Sequence, residues 1–244
     1  MDLKTFKLLH PVKYYKDYLE NNIRPDGREL EDLRPLAISF GVINSADGSA
    51  IVKLVCSPSY RPGPPSEEAQ VHSRSLADAI SNAHCIDLQD LCISPGKLVW
   101  ALYCDLTCLD HDGCVFDVAI ISLVAALHTV KLPTIQYNHD TGETRTDTST
   151  FSPLSVHCVP VTTTFVMVSD RLITDPTSEE EKLASTTLTV TVSDGKMSFF
   201  NQSGGDPFDS AALKNCTDSA LKRERSVRRM IQSMMNKLKG GKDQ

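Results

Sequence analysis

Apolar and polar positions change their period several times along the chain, and each period predicts a different element. Residues 11–22 place Val12, Tyr15 and Leu19 on one stripe, which predicts a short helix with one packed face. The Pro-Asp-Gly run within residues 24–28 then predicts a turn that ends this helix. The chain is therefore expected to open with a helix and a sharp turn.

Two strands are predicted next, over residues 37–43 and 49–55, because apolar and polar side chains alternate there. Asp47-Gly48 lies between them and is a strong hairpin signal. After a Pro-rich break, Ser66 is expected to cap a helix that runs to about residue 82.

The middle of the chain is predicted to hold a long strand and a buried helix. Residues 97–109 alternate in the manner of a half-buried strand. Residues 115–128 are apolar almost all round, which predicts a helix buried between layers. Pro133 is expected to act as a stop after that helix.

The second half is predicted to be rich in strands. Four runs form two hairpins about Asp-containing turns, at residues 161–168, 171–174, 186–192 and 196–200. A polar stretch at 201–206 leads to a long helix over about 209–237. Strands and helices mix without strict alternation, which favours an α+β layered fold.

Charge is unevenly distributed along the chain. The formal net charge is −6, yet residues 222–244 hold eight basic and two acidic residues, so residues 1–221 carry −12. The negative charge of residues 1–221 disfavours a protein that coats duplex DNA. For the basic end, a solvated helix face is favoured over a nucleic-acid contact. No apolar run is long enough to span a bilayer, and residues 1–9 lack the apolar stretch of a secretory signal, so no membrane partner is predicted.

No metal or cofactor is predicted. The eight cysteines are expected to be reduced thiols that pack as small apolar side chains. Cys104, Cys108 and Cys114 lie near His111, but no Cys-x-x-Cys pair occurs, so core packing is favoured over zinc. Asp175 and the run at 179–181 are interpreted as an acidic loop in solvent rather than a magnesium site. P-loop and dinucleotide-binding motifs are absent from the sequence.

Six segments, in order and spacing, resemble the RNase PH family in the form that builds the ring of the eukaryotic RNA exosome. They are Arg-Pro-Asp-Gly-Arg at 24–28, Ala-Asp-Gly-Ser-Ala at 46–50, Gly-Pro-Pro-Ser-Glu-Glu-Ala-Gln at 63–70, Leu-Cys-Ile-Ser-Pro-Gly-Lys-Leu-Val-Trp at 91–100, Leu-Asp-His-Asp-Gly at 109–113 and Asp-Pro-Thr-Ser-Glu-Glu-Glu at 175–181. The resemblance implies one RNase PH-like domain of mixed sheets packed with helices, with halves at about 24–150 and 151–238.

The chain departs from the family at one place. Family members carry more chain between the strand that ends near Leu54 and the Pro-rich break, whereas Lys53-Leu54 here runs almost directly into 55–58. The missing piece would supply further strands and a loop of the first half. The N-terminal sheet is therefore expected to be truncated, with an unpaired edge.

The resemblance implies a non-catalytic, structural subunit of the exosome ring that guides RNA. It would support 3′-to-5′ RNA processing and degradation and rRNA maturation, in the nucleus, nucleolus and cytoplasm. The implied partners are other RNase PH-like ring subunits, exosome cap proteins and single-stranded RNA.

The expected inactivity rests on two positions. Active members bind the attacking phosphate with an arginine at the head of the buried helix, where this chain has Phe116. The catalytic carboxylate of active members falls on Thr187, whose hydroxyl cannot serve as the general acid or base near neutral pH. These are the degenerate former active-site positions, and no catalytic residue is predicted.

Two arginines are candidate RNA contacts. Arg74 matches a second phosphate-site arginine of the family, with an ordinary helix-surface charge as the alternative. Arg61 lies just before Gly-Pro-Pro, where the family carries a loop facing the channel, and Tyr60 beside it is suited to stack on a base. A solvated loop charge is the alternative for Arg61.

Two other functions stay open at this point. One is an active phosphorolytic 3′ exoribonuclease, which Phe116 and Thr187 disfavour. The other is a free-standing RNA-binding protein that uses the basic C-terminal helix.

Overall fold

A computed structural model describes residues 3–54, 67–138, 141, 143–205 and 207–240. The helices are α1 (Leu3–Leu9), α2 (Pro11–Leu19), α3 (Glu67–Asn82), α4 (Val115–Leu127), α5 (Ser178–Leu183) and α6 (Ser210–Gly240). The strands are β1 (Leu36–Phe40), β2 (Ala50–Leu54), β3 (Cys92–Ser94), β4 (Leu98–Val99), β5 (Lys131–Tyr137), β6 (Thr144–Pro153), β7 (Val161–Val168), β8 (Arg171–Thr174), β9 (Thr186–Ser193) and β10 (Lys196–Gly204). Antiparallel sheets pack against helices, so the predicted α+β class is confirmed.

Helix α4 is the centre of the first half, as its uniformly apolar sequence predicts. Its Ile120, Val124 and Ala125 have no exposed surface. The β1–β2 hairpin packs on one side of it and α3 on another. At Gly48, in the hairpin turn, an added Cβ would lie 2.6 Å from Val130 Cγ2 and 2.8 Å from the Ala126 carbonyl oxygen. Only glycine allows the hairpin to come this close to the end of α4.

The second half is a four-stranded antiparallel sheet in the order β10-β9-β7-β8, with α6 lying across β7 and β9. Both predicted hairpins and the long helix are confirmed. Ala220 of α6 packs with Phe165 and Leu188 of this sheet. About two and three turns further along, Val227 and Ile231 join the core around α4. The C-terminal helix therefore joins the two halves.

The polar stretch predicted at 201–206 is strand as far as Gly204. Asn201 lies opposite Thr189 and Gly204 opposite Thr186 on β9, so the ladder continues past the last apolar residue. Hydrogen bonding to a central strand extends β10 although its side chains face solvent.

The β5–β6 hairpin was not predicted, because β6 is polar along most of its length. Pro133 is not a stop as expected, since it lies inside β5 opposite Phe151. The register shifts directly after Pro133, and a bulge is a place where a strand tolerates a residue without an N–H. Helix α1 was also missed, and Val12 is exposed while Tyr14, Tyr15 and Leu19 fill the buried face of α2.

The long strand predicted at 97–109 is wrong. Only Leu98–Val99 forms a ladder, with β3, and residues 100–109 belong to no strand. Tyr103 is 92% exposed and Leu109 is 70% exposed, although the alternating pattern marks them for a half-buried sheet.

The strand prediction failed because these residues lack a partner strand among the described residues, although their own side chains alternate as a strand requires. Backbone N–H groups of 101–109 donate no backbone hydrogen bond to any residue that the structure describes. The β1–β2 pair is two-stranded and ends at Leu54. A strand needs a neighbour to satisfy its backbone, and residues 101–109 have none among the residues that the structure describes.

A buried ion-pair network joins the start of the chain to the second half. Arg34 donates to Asp175 Oδ1 at 2.7 Å and Oδ2 at 3.0 Å, and to the Pro176 carbonyl oxygen at 3.1 Å. Arg24 pairs with Glu180 and donates to the Asp175 carbonyl oxygen at 3.0 Å. Arg24 and Asp175 have no exposed surface.

The network corrects the interpretation of the acidic run at 175–181 as a solvated loop. Asp175 and Glu180 are buried, and Glu180 completes a capping box with Thr177 at the start of α5. Glu179 alone fits the expectation in part, since it is half exposed and pairs with Lys7. Two arginines that lie more than a hundred residues earlier in the chain pair with Asp175 and Glu180, and this pairing allows both carboxylates to be buried.

Acid should weaken this network. Burial raises the pKa of Asp175, but the hydrogen bonds and charge of Arg34 outweigh it and bring the pKa to about 2. Because the folded-state pKa lies below the unfolded value of about 3.9, the stabilisation is complete above that pH and is lost as pH falls toward 2. Asp175→Asn should cost about 3–5 kcal/mol at neutral pH, since Arg34 is left unpaired. The difference from the parent should narrow by roughly 2 kcal/mol between pH 4 and pH 2.

Denaturant unfolding of both proteins across that pH range measures this difference. Asp78→Asn is the matched control, since Asp78 is exposed on α3, and it should change stability by no more than about 0.5 kcal/mol. A difference for Asp175→Asn that stays constant with pH would contradict the assigned role of the carboxylate.

Hydrogen–deuterium exchange should distinguish residues 101–109 from the true strands. Their amides are expected to exchange nearly as fast as in an unfolded chain, because they lack backbone partners among the described residues. Amides of β9 serve as the internal control and should exchange orders of magnitude more slowly, since β9 is paired on both sides. Equal protection of the two segments would show that 101–109 is paired after all.

Candidate functional site

The start of α4 is fixed by a close backbone contact. Gly113 has a φ of +80°, and a Cβ added there would lie 2.3 Å from the Pro176 carbonyl oxygen. Cys114, the residue before α4, also lies in the left-handed region, with a φ of 54°. The turn at 110–113 is thus pressed against the loop that precedes α5, which only glycine permits.

A carboxylate occupies the N-terminus of α4. Cys114 N donates to Glu181 Oε1 at 2.8 Å, so one of the free N–H groups of the helix end already has an anionic partner. Ser178 N donates to Asp112 Oδ1 at 3.2 Å on the opposite side of the same contact. Burial raises the pKa of Glu181, and the charge of Asp117 adds to the rise.

Asp117 is a fully buried charge in the first turn of α4. It accepts hydrogen bonds from Thr164 N at 3.0 Å, Thr164 Oγ1 at 2.8 Å and Arg223 at 2.9 Å. Burial raises the pKa of Asp117, while Arg223 and Thr164 oppose the rise. The interaction ties α4 to both β7 and α6.

Phe116 lies in an aromatic contact, not beside a cation. Its ring centroid is 6.1 Å from that of His72 on α3 and 5.9 Å from that of Phe199 on β10. Its side chain is buried. The position therefore closes the apolar core at the head of α4.

Thr187 lies in the middle of the C-terminal sheet, opposite Val166 on β7 and Ser203 on β10. Phe199, which Phe116 contacts, is opposite Thr191, four residues further along β9. Four residues of strand span about 13 Å, so Thr187 lies about that far along β9 from the residue opposite Phe199. The assignment of Phe116 and Thr187 as former active-site positions stays a prediction.

The two candidate RNA contacts have different outcomes. Arg74 is exposed on α3, two residues beyond His72, so its charge is available at the surface. Arg61, with Tyr60, lies outside the described residues, and its role stays a prediction.

Helix α6 is not a free basic tail. Arg223 pairs with the buried Asp117, and Arg228 pairs with Asp194 and Glu224. Val227, which lies between these two arginines, and Ile231, which follows them, are core residues. Removing residues 222–244 would therefore take away part of the core along with the positive charge.

Sequence reasoning missed Asp117, Glu181 and Arg223 at this site. A sequence signal existed for Asp117, because a single carboxylate inside an apolar helix needs a buried partner. Thr177 followed three residues later by Glu180 is likewise a capping-box pattern. The partner of Asp117 could not be predicted, since Arg223 is 106 residues away.

Neither a metal-ligand cluster nor a membrane-spanning helix occurs in the described part of the chain. Among the described residues, no three His, Cys, Asp or Glu side chains converge as metal ligands, and Cys104 and Cys108 are both exposed. None of the helices there has the length and apolar character needed to traverse a bilayer.

Two family profiles match the chain, the 3′ exoribonuclease family domain 1 at residues 52–133 and domain 2 at residues 158–223. The exosome complex component Rrp42 of Pyrococcus furiosus is 30% identical over 259 residues, which cover 92% of this chain and 93% of the relative. The exosome complex component rrp43 of Schizosaccharomyces pombe is 31% identical over 250 residues, covering 88% and 93%. Both alignments are longer than the 244 residues of the chain, so these relatives carry residues with no counterpart here.

Solved structures agree with the sequence comparison. A chain of the Archaeoglobus fulgidus exosome with RNA bound to the active site superposes with a TM-score of 0.75 at 28% identity, covering 90% of this chain and 96% of the other. A chain of an archaeal exosome core gives 0.74 at 27% identity, covering 91% and 96%. The chain therefore belongs to the 3′ exoribonuclease, or RNase PH, family, and it is similar over about nine-tenths of its length to members that are exosome components.

Proposed function

We propose that the chain is a non-catalytic subunit of an exosome ring, which supports 3′-to-5′ RNA processing, RNA degradation and rRNA maturation by guiding single-stranded RNA. Similarity to exosome components over about nine-tenths of the chain supports the ring assignment. The proposed partners are other RNase PH-like subunits, exosome cap proteins and RNA. The proposed locations are the nucleus, nucleolus and cytoplasm.

The observation that carries the non-catalytic part is the state of the α4 N-terminus. Phosphorolysis needs inorganic phosphate held by arginines and free N–H groups, and a helix N-terminus is suited to that task. Here the Glu181 carboxylate bonds the Cys114 N–H, and Phe116 contributes an aromatic ring where an arginine is expected. A phosphate dianion at this end would meet carboxylates instead of cations.

The neighbouring arginines support the same conclusion, because the protein's own carboxylates bind them. Arg34 is held by Asp175 and Arg223 by Asp117, both in buried pairs. Releasing either to bind phosphate would leave a buried carboxylate without its partner, which costs about 3–5 kcal/mol. Thr187, flanked by strands on both sides, offers no carboxylate for proton transfer.

The purified chain should therefore release no nucleoside diphosphate from single-stranded RNA when inorganic phosphate is added. Chromatographic analysis of the products against a phosphate-free blank measures this, with an active RNase PH enzyme as the positive control. Phosphate-dependent release that Arg74→Ala abolishes, and that Arg171→Ala at the exposed start of β8 leaves intact, would mean that the chain is an active phosphorolytic exoribonuclease.

In a reconstituted ring, the chain should contact RNA through Arg74 and Arg61. Co-expression with RNase PH-like subunits, followed by sedimentation, tests assembly, and failure to co-sediment would overturn the ring assignment.

In the assembled ring, crosslinking of single-stranded RNA to this subunit should fall roughly threefold at low salt in Arg74→Glu or Arg61→Glu, and the difference should fade as salt rises. Arg171→Glu is the control for charge reversal at an exposed arginine. Unchanged crosslinking at low salt would remove the mutated arginine from the RNA path.

A further inference from the structure

Two buried cysteines lie against each other across the two halves of the chain. Cys85 follows the end of α3, and Cys158 lies in the segment that leads into β7. His157 N donates to the Cys85 carbonyl oxygen at 3.0 Å, which holds the two backbones side by side. Cys85 Sγ is 3.3 Å from the Cys158 carbonyl oxygen, and Cys158 Sγ is 3.1 Å from the Ala83 carbonyl oxygen.

This geometry suits a disulfide. Each thiol donates to a carbonyl oxygen of the opposite segment, and both thiols are free. A disulfide needs Cα atoms within about 7 Å, and the hydrogen bond between His157 and Cys85 brings the two backbones together at this point. The pair is 73 residues apart in sequence, so the bond would close a long loop between the halves.

The two thiols differ in access and acidity. Cys158 lines an open cavity of about 400 Å³, together with His157, Asp194 and Arg228, whereas Cys85 has no exposed surface. The hydrogen bond from Cys85 lowers the pKa of Cys158 to about 7, against the effect of burial, and the charge of Arg228 assists. The same contact and burial raise the pKa of Cys85. Cys158 is thus the thiolate that a small oxidant reaches first, with Cys85 as its neighbour.

We propose that Cys158 and Cys85 form a redox-sensitive pair in which hydrogen peroxide oxidises Cys158 and Cys85 then closes a disulfide. In the first step the Cys158 sulfur attacks the peroxide, an S–O bond forms, the O–O bond breaks, and the departing hydroxide takes the former thiol proton to leave as water. In the second step the Cys85 sulfur attacks the Cys158 sulfenic acid, the S–S bond forms, the S–O bond breaks, and the hydroxide leaves as water with the Cys85 proton. Two thiols are oxidised and one peroxide is reduced.

The bond would add a covalent link between two segments that are otherwise joined by hydrogen bonds and packing. Cys85 and Cys158 both belong to the core that contains α4 together with Val227 and Ile231 of α6. Oxidation would tie the end of α3 to the segment entering the C-terminal sheet, which restricts separation of the halves. A thiol reductant would restore the free pair.

Peptide mapping of the full chain tests the proposal. Cys56, Cys92, Cys104 and Cys108 are first replaced by serine, so that the exposed and undescribed thiols do not compete. After treatment with hydrogen peroxide, blocking of free thiols and proteolysis without reductant, the Cys85–Cys158 crosslinked peptide should be the dominant oxidation product. Cys114 and Cys216, which are buried and whose thiol pKa values burial raises, serve as internal controls and should stay free.

Two variants separate the steps, and circular dichroism checks that each is folded. Cys158→Ser should leave Cys85 as a free thiol, while Cys85→Ala should leave Cys158 as a sulfenic acid that a dimedone probe traps. The crosslink should also raise the thermal unfolding midpoint of the parent, and a reductant should reverse this rise. Oxidation of Cys114 or Cys216 at the same rate as Cys158, or oxidised Cys158 without the Cys85 crosslink in the parent, would overturn the proposal.

Discussion

The fold depends on burying the Arg34–Asp175 ion pair with all of its hydrogen bonds satisfied. Removing two charges from water is costly, and only good geometry offsets the cost. Arg34 reaches the Asp175 carboxylate and the carbonyl oxygens of Asp112 and Pro176. One guanidinium thus joins the segment before β1, the turn before α4 and the loop before α5. The close approach of Gly113 to Pro176 follows from this junction, and so does the position of the α4 N-terminus.

The same junction determines the character of the candidate site. Three carboxylates lie near the start of α4, each bound by a partner from within the chain: Asp117 by Arg223, Asp175 by Arg34, and Glu181 by the Cys114 N–H. Phe116 adds an apolar contact with Phe199 at the same end. These interactions join α4 to both halves of the chain.

Sequence patterns predicted the elements whose stability comes from their own residues, and failed where stability comes from a neighbour. The apolar run of α4 and the hairpin turn at Ser169-Asp170 have local causes, so their prediction succeeded. Residues 100–109 have the right alternation but no partner strand in the described part of the chain, and β6 has a partner but little alternation. At the site, Phe116 could be located from its place after the Asp-Gly turn. Its companions Glu181 and Arg223 could not, because their contacts with α4 bridge 67 and 106 residues of intervening chain.

The span of the ion-pair network has a consequence for how the protein is made. Arg24 must meet Glu180, 156 residues later, and Asp117 must meet Arg223, so each pair can form only after its later partner has been synthesised. At a translation rate of about 5–20 residues per second, Arg24 waits roughly 8 to 30 seconds for its partner. During that time the first half emerges with its α4 core uncovered on the side that α6 will occupy. The nascent protein is therefore expected to complete these ion pairs late in its synthesis, and until then to need chaperones that recognise exposed apolar helix surface.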